Sequence, residues 1–306
     1  MEYGRTAECI MIIQEMNPIK SAEKIKVIFN CSIFEFHKDY CYNIAKELTN
    51  RGHIAIIEED RNAFHADADF TIQPDEACLR MCGKGIWINH AFPFVPQNEF
   101  YSSTEFVDEL NRNSDYIFTF SDEWVENQKH YGLPIFNVGM PKLDNFSRIP
   151  TDGFNILYVP TWNEELTSSR VIDIEMLKTK GNLIYRGHPA FNTSEIPLME
   201  ALSIADVVIT DYSSVGLESI VLDIPTIFYT NERYGSVGDH ISNKAMEAGI
   251  CVSDNAALEV AIETYRNNPS FLSIEREKYS KILASNLGES SICFVNTLEK
   301  IKSECI

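Results

Sequence analysis

Two hydroxyl residues follow a short apolar run in the second half of the chain. Val207–Thr210 is expected to be a buried strand, Asp211 ends it, and Ser213 and Ser214 stand where a helix begins. The first turn of a helix has backbone N–H groups without intrahelical partners and a partial positive charge, which suit a phosphate. The pattern predicts a phosphate site; the alternative is that the serines only cap the helix.

Glu218 lies one turn further along the same predicted helix, on the side of the serines. Its carboxylate could accept hydrogen bonds from the hydroxyls of a ribose. The alternative is a solvated helix acid, and Glu218 taken alone favours that alternative.

Two histidines follow other apolar runs. Arg186, Gly187 and His188 come directly after Leu183–Tyr185, where an imidazolium and a guanidinium could bind phosphate. His90 follows Ile86–Ile88 in the first half, and a histidine there could act as a general base near neutral pH. The alternatives are an ordinary polar histidine at 188 and a backbone-bonded one at 90.

A fourth polar strand end is Thr161-Trp162, after Asn155–Val159. Thr161 could donate to a phosphate and Trp162 could form a wall for a nucleotide, or the indole could be a packed aromatic. The chain has no P-loop, no G-x-G-x-x-G and no G-x-S-x-G, and its remaining histidines lack metal-like spacing.

These residues need a scaffold that brings strand ends together. Apolar runs alternate with helical patterns along the chain, which predicts mainly parallel sheets covered by helices, with ligands at the carboxyl ends of strands. Further predicted strands are Ile25–Phe29, Ile54–Ile57, Phe70–Ile72, Tyr116–Phe120, Phe136–Gly139 and Thr226–Tyr229. Predicted helices are Tyr40–Asn50, Val171–Thr179, Ser194–Ile204, Ser214–Leu222 and Ala256–Asn267.

We expect two α/β domains that face each other across a cleft. The predicted divisions are an N-terminal extension over residues 1–24, a first domain over 25–147 and a second over 154–306, whose last helix could pack back on the first domain. Asn145–Gly153 is the expected linker, because it contains Pro150 and Gly153 and lacks apolar periodicity.

Composition excludes several classes of function. The 306 residues include 26 Lys+Arg and 45 Asp+Glu, for a formal net charge of −19, which argues against a nucleic-acid coat and weakens the case for binding anionic lipid. The eight cysteines lack zinc-type pairing and are expected to be reduced and mostly buried. We expect a cytoplasmic protein, with contact at the inner face of the membrane left open.

Taken in order, the motifs resemble those of the CDP-glycerol glycerophosphotransferase family, the teichoic acid primases and polymerases. The resemblance rests on four segments that cluster between His90 and Tyr229: Thr210–Ser214, Arg186–Pro189, Tyr158–Trp162 and Gly139–Asp144. It implies a GT-B fold, two Rossmann-like domains with the donor bound in the C-terminal one.

The resemblance also implies a reaction and roles for the residues. A polyol phosphate, such as glycerol phosphate, would pass from a CDP-activated donor to an acceptor hydroxyl, with release of CMP. His90 would take the acceptor proton, and His188, Ser213 and Ser214 would hold the pyrophosphate. The remaining roles are phosphate binding, ribose binding or support, assigned to Arg186, Thr161, Glu218, Asp211, Trp162, Lys142 and Asp144. We expect no metal and no cofactor besides the donor substrate.

Departures from the family pattern bear on the acceptor. Ala91 and Val95 stand where the family usually has Gly and Lys, and Asn163 stands where it has Arg. Fewer cations make a glycan or a lipid-linked acceptor as plausible as a polyol phosphate polymer. The alternatives are a GT-B glycosyltransferase or epimerase acting on a nucleoside diphosphate sugar, and a non-catalytic nucleotide-binding relative.

Overall fold

The first half of the chain forms a parallel sheet. The structure is a computed structural model that describes residues 24–31, 37–60, 63–74, 80–89, 92, 103–161, 167–188, 196–230 and 240–304. Within those residues six strands pair in the order β2-β1-β3-β4-β5-β6. Their bounds are β1 Lys26–Asn30, β2 Ile54–Glu58, β3 Phe70–Gln73, β4 Lys84–Ile88, β5 Tyr116–Thr119 and β6 Ile135–Asn137.

The second half forms another parallel sheet. Its five strands in the described residues pair in the order β11-β10-β9-β7-β8. They are β7 Asn155–Val159, β8 Asn182–Tyr185, β9 Val207–Thr210, β10 Thr226–Tyr229 and β11 Ile250–Val252. The direction of strand addition reverses between β7 and β9, and such a reversal opens a crevice at the carboxyl ends of the two strands.

Helices connect and cover the strands. Their bounds are α1 His37–Asn50, α2 Thr104–Asn113, α3 Asp122–Gln128, α4 Ile174–Lys180, α5 Leu198–Ile204, α6 Ser214–Val221, α7 Ile241–Ala245, α8 Asn255–Asn267, α9 Ser273–Leu283 and α10 Ser290–Glu304. Strands β7 and β9 are buried at every position, as expected of parallel strands covered on both faces. None of the helices in the described ranges is both long and apolar enough to cross a membrane.

Some elements begin or end away from the predicted positions. Helix α4 starts at Ile174, not Val171, because the Asp173 side chain caps it by accepting the Met176 N–H. Strand β6 ends at Asn137, and Gly139 has φ +85°, a left-handed conformation outside the strand. Of the five cysteines in the described residues, Cys31 and Cys41 are buried, Cys82 and Cys293 are half-buried and Cys251 is exposed. Residues 1–23 of the predicted N-terminal extension, for which an irregular arm or a short edge strand at Cys9–Ile13 was expected, lie outside the described residues.

The C-terminal helices connect the two halves. After α9, the Ser285 N–H donates to the Phe120 carbonyl oxygen at 2.8 Å, just beyond β5. On α10, Phe294 meets Phe118 of β5 with ring centroids 4.7 Å apart. Lys302 donates to Asp69 at 2.8 Å. The last helix of the chain therefore packs on the first sheet.

Candidate functional site

Helix α6 begins at the carboxyl end of β9. Ser213 is its N-cap, and the Ser213 Oγ accepts the Val215 N–H at the long distance of 3.4 Å. A Cβ on Gly216 would lie 2.4 Å from Phe228 Cε1 and 2.8 Å from Thr210 Cγ2. Glycine therefore lets the first turn of α6 lie directly against β9 and β10. Ser213 and Ser214 are both half-buried at this turn.

Asp211 secures the turn that follows β7. Its fully buried carboxylate accepts the backbone N–H groups of Thr161 and Ser168, each at 2.8 Å, and the Ser168 hydroxyl at 2.8 Å. Burial raises the pKa of Asp211 to about 6, and these hydrogen bonds oppose that shift. The Asp211 carboxylate therefore ties the ends of β7 and β9 together.

The ends of β7, β8 and β9 lie side by side. The Thr210 hydroxyl donates to the Val159 carbonyl at 2.6 Å, and the Arg186 N–H donates to the Tyr158 carbonyl at 2.9 Å. Thr161, which is buried, follows β7. The structure therefore brings Thr161, the 186–188 segment and the start of α6 to one edge of the second sheet.

Arg186 and His188 form an electrostatic pair at this edge. Arg186 is buried, and its Nε donates to the Ile196 carbonyl at 3.3 Å. Burial, and then the charge of Arg186, lowers the pKa of His188 to about 4. In the ligand-free protein at neutral pH the His188 ring is therefore neutral, because a charged ring would be buried beside a guanidinium.

Glu218 faces the first half of the chain. The Lys142 ammonium, in a 3-10 turn at Pro141–Leu143, contacts Glu218 Oε1 at 2.6 Å, and Glu218 is 0 % exposed. Among the described residues, Glu218 Oε2 has no hydrogen-bond partner. The alternative of a solvated helix acid is wrong, because the Glu218 side chain is fully buried. The orphaned oxygen can accept a hydroxyl donor.

Asp144 caps a distant helix. Its carboxylate accepts the N–H groups of Ser290 and Ser291, at 3.1 and 2.7 Å, at the start of α10. The Asn43 side-chain amide contacts the motif that contains Asp144, because it donates to the Pro141 carbonyl at 2.9 Å. Asn43 was missed in the sequence, since nothing in α1 signals a contact with a turn so far along the chain.

Two predicted site residues, His90 and Trp162, lie outside the described residues. The nearest described neighbours of His90 are Asn89, which is buried at the end of β4, and Phe92. The Phe92 ring meets that of Phe120 with centroids 4.7 Å apart. Asn89 and Phe92 therefore lie at the carboxyl ends of β4 and β5.

A cavity of about 550 Å³ flanks β8. It is lined by Tyr158, Ser169, Ile174, Lys178, Gly181, Leu183 and Tyr185, none of which is a predicted site residue. Over the described ranges no group of three or more His, Cys, Asp or Glu side chains is arranged to hold a metal ion.

Comparisons with known proteins agree on one family. The teichoic acid glycerol-phosphate primase of Bacillus subtilis is 25% identical over 224 residues, which cover 60% of this chain and 58% of that protein. The primase of Staphylococcus aureus is 37% identical over 87 residues, 26% of this chain and 24% of that protein. The chain thus spans less than two thirds of either curated relative.

Solved structures establish the fold. The wall teichoic acid polymerase TagF superposes with a TM-score of 0.66 at 14% identity, over 93% of this chain and 91% of that chain. The UDP-GlcNAc 2-epimerase of Neisseria meningitidis superposes with a TM-score of 0.58 at 9% identity, over 91% and 100%. These likenesses and the two parallel sheets confirm the predicted α/β GT-B fold class.

The match to a family is more specific than the fold. Residues 135–298 match the family described as CDP-Glycerol:Poly(glycerophosphate) glycerophosphotransferase, more than half of the chain. They include Lys142, His188, Ser213 and Glu218. The chain belongs to the CDP-glycerol:poly(glycerophosphate) glycerophosphotransferase family.

Proposed function

We propose that this chain transfers a polyol phosphate from a CDP-activated donor, such as CDP-glycerol, to an acceptor hydroxyl. The acceptor oxygen attacks the phosphorus that bears the polyol and loses its proton to a base. The bond from that phosphorus to the bridging oxygen breaks, and CMP leaves.

The observation that carries the proposal is the grouping of three polar strand ends at the reversal between β7 and β9. Thr161 and the 186–188 segment flank the start of α6, whose backbone N–H groups and serines suit a pyrophosphate. A protein with a net charge of −19 benefits from such dipolar donors, because they bind an anion without many cations.

Each polar group of the CDP-activated donor has a proposed partner in the protein. Phosphate oxygens accept hydrogen bonds from Ser213, Ser214, Thr161 and the neutral His188. The buried Arg186 adds a positive charge next to them. A ribose hydroxyl donates to Glu218 Oε2, which lacks a partner among the described residues. Asp211, Lys142 and Asp144 hold these groups in place, and Trp162 walls the nucleotide.

The acceptor reaction is proposed for the first half of the molecule. His90 takes the proton of the acceptor hydroxyl, a contribution typically of about 10²–10⁴-fold for a general base. The acceptor is a surface glycan, a polyol phosphate or a lipid-linked precursor, and we place the reaction in the cytoplasm at or near the inner face of the membrane. No nucleic acid takes part.

We propose that the reaction needs no metal, because helix N–H groups, hydroxyls and a guanidinium are assigned to the charge of the pyrophosphate. Turnover should then survive EDTA treatment and gain nothing from added Mg²⁺. A loss of turnover in EDTA that Mg²⁺ restores would contradict this part of the proposal.

A second candidate is a nucleotide-sugar epimerase or glycosyltransferase, favoured only by the superposition on UDP-GlcNAc 2-epimerase. A third is a nucleotide-binding relative without activity. Incubation with CDP-glycerol, CDP-ribitol and UDP-sugars, followed by separation of the nucleotides, distinguishes them. Phosphotransfer yields CMP, glycosyl transfer or hydrolytic epimerisation yields UDP, and a binding protein yields neither.

A further inference from the structure

Three buried hydrogen-bonding groups without partners lie on adjoining residues of the two halves of the molecule. Trp124 Nε1, His240 Nε2 and Ser242 Oγ are buried and have no hydrogen-bond partner among the described residues. The Trp124 and His240 rings are in edge contact, with centroids 5.6 Å apart, and the Ser242 N–H donates to His240 Nδ1 at 3.3 Å. The three groups therefore form one contiguous cluster, which we call the orphan-donor cluster.

Such a cluster is unfavourable unless something completes it. Trp124 and Ser242 are both 0 % exposed, so neither side chain can recover its hydrogen bond from bulk water. A buried polar group without a partner loses its hydrogen bond to water and gains none in return. Three adjacent groups of this kind point to a bound molecule that supplies oxygen acceptors.

The cluster is built to donate to an uncharged oxygen. Because His240 Nδ1 accepts the Ser242 N–H, the ring proton lies on Nε2 and that nitrogen is a donor. Burial lowers the pKa of His240 to about 4, so the ring is neutral at pH 7. The ring therefore offers an uncharged N–H to a ligand oxygen.

The cluster adjoins two aromatic rings of the first half of the chain. The Trp124 ring contacts Phe92, with centroids 5.9 Å apart, and Phe120, with centroids 6.0 Å apart. In the sequence Phe92 stands two residues after the proposed base, His90. A ligand oxygen held by the cluster is therefore on the proposed acceptor side of the molecule.

We propose that Trp124, His240 and Ser242 form a subsite that binds a hydroxyl or carbonyl oxygen of an uncharged sugar or polyol unit of the acceptor. The existence of the subsite stands on the orphan donors alone, while its assignment to the acceptor rests on the proposed function. Recognition by neutral donors also agrees with Val95, which stands after His90 where the family usually has a lysine.

Indole resonances in a ¹⁵N–¹H NMR spectrum test the subsite without any turnover. The chain has three tryptophans, so Trp→Phe variants assign each indole N–H. Trp87 is an internal reference, because its Nε1 is also buried without a partner but packs against Phe106 and Tyr131 instead. The probes are glycerol and N-acetylglucosamine, against inorganic phosphate and glycerol 3-phosphate.

We expect the Trp124 resonance to shift with the uncharged probes and the Trp87 resonance to stay. Trp124→Phe, which removes the indole N–H but keeps an aromatic ring, and His240→Asn, which keeps a helix-capping oxygen, should each weaken the binding of N-acetylglucosamine about 3- to 10-fold. Trp87→Phe should leave it unchanged. A Trp124 resonance that does not shift with any probe, or that shifts only with the two phosphates, overturns the subsite.

Kinetics then separate the subsite from the function. In CMP release from CDP-glycerol with a sugar acceptor, Trp124→Phe should raise the acceptor KM by a similar factor and leave donor affinity unchanged. Shifted resonances without CMP release would retain the subsite and refute the proposed function. CMP release with an unaltered KM in both variants would refute the subsite and retain the function.

Discussion

His188 combines a phosphate-binding position with a neutral ring. Its pKa is lowered to about 4 by burial and by Arg186, and a bound pyrophosphate would raise that pKa because opposite charges favour the protonated form. Donor binding should therefore take up protons. The affinity of the wild-type protein for CDP-glycerol should rise as the pH falls from 8 to 5.5.

We predict that His188→Ala weakens CDP-glycerol binding about 3- to 10-fold at pH 8, as for a neutral hydrogen bond, and by more at pH 6. Titration calorimetry at both pH values measures the effect. Asp211, with a pKa of about 6, titrates in both proteins, so only the difference between them reports on His188. The exposed His130 provides the control variant His130→Ala. Equal losses at both pH values would mean that the ring never gains a proton.

His90 carries the riskiest assignment, because the residues after it depart from the family pattern. We predict that His90→Ala lowers turnover by about 10²–10⁴-fold with donor affinity nearly unchanged, since the donor is assigned to the other sheet. The acid limb of the pH–rate profile should disappear with the histidine. Near-normal turnover with the same acid limb would remove His90 from the mechanism.

At the scale of single elements, the two serines at the start of helix α6 have two possible roles, capping the helix and binding phosphate. The Ser213 cap bond is long, at 3.4 Å, so it should stabilise the helix weakly. We predict that Ser213→Ala with Ser214→Ala lowers stability by less than about 1 kcal/mol but lowers turnover at least about tenfold. Thermal unfolding and rate measurements on one preparation decide between the roles. Stability lost with intact kinetics would leave only the capping role.

The elements near the site could largely be predicted from the sequence. Strands β7, β9 and β10 occupy the predicted residues, because each is a short apolar run bounded by polar residues or by Pro or Gly. Strand β11 was missed, since Ile250–Val252 is too short to show a pattern. The Lys142–Glu218 pair, separated by 76 residues, was also missed as a contact, because a single sequence does not say which distant side chains meet.

At the scale of the whole molecule, the Lys142–Glu218 pair joins the two halves at the site. Lys142 is 14% exposed and Glu218 is 0% exposed, so loss of the lysine leaves a buried, unpaired carboxylate. We predict that Lys142→Met lowers stability by about 3–5 kcal/mol, and that adding Glu218→Gln restores part of it. Urea unfolding of the single and double variants measures the coupling.

A matched surface pair calibrates that measurement. Lys281 and Glu277 are 73% and 69% exposed, so Lys281→Met should lower stability far less than Lys142→Met. Equal losses for Lys142→Met and Lys281→Met would show that the pair between the halves contributes no more than an exposed one.

The most direct test of the proposed phosphotransfer follows the phosphorus that bears the polyol. The protein would be incubated with an acceptor and CDP-glycerol labelled with ³²P at that phosphorus, and the products separated. We predict that the label leaves the nucleotide and enters the acceptor, with one CMP released for each labelled phosphate transferred. Label that remains on released CDP, or stays in intact CDP-glycerol with every acceptor class, would contradict phosphotransfer by this chain.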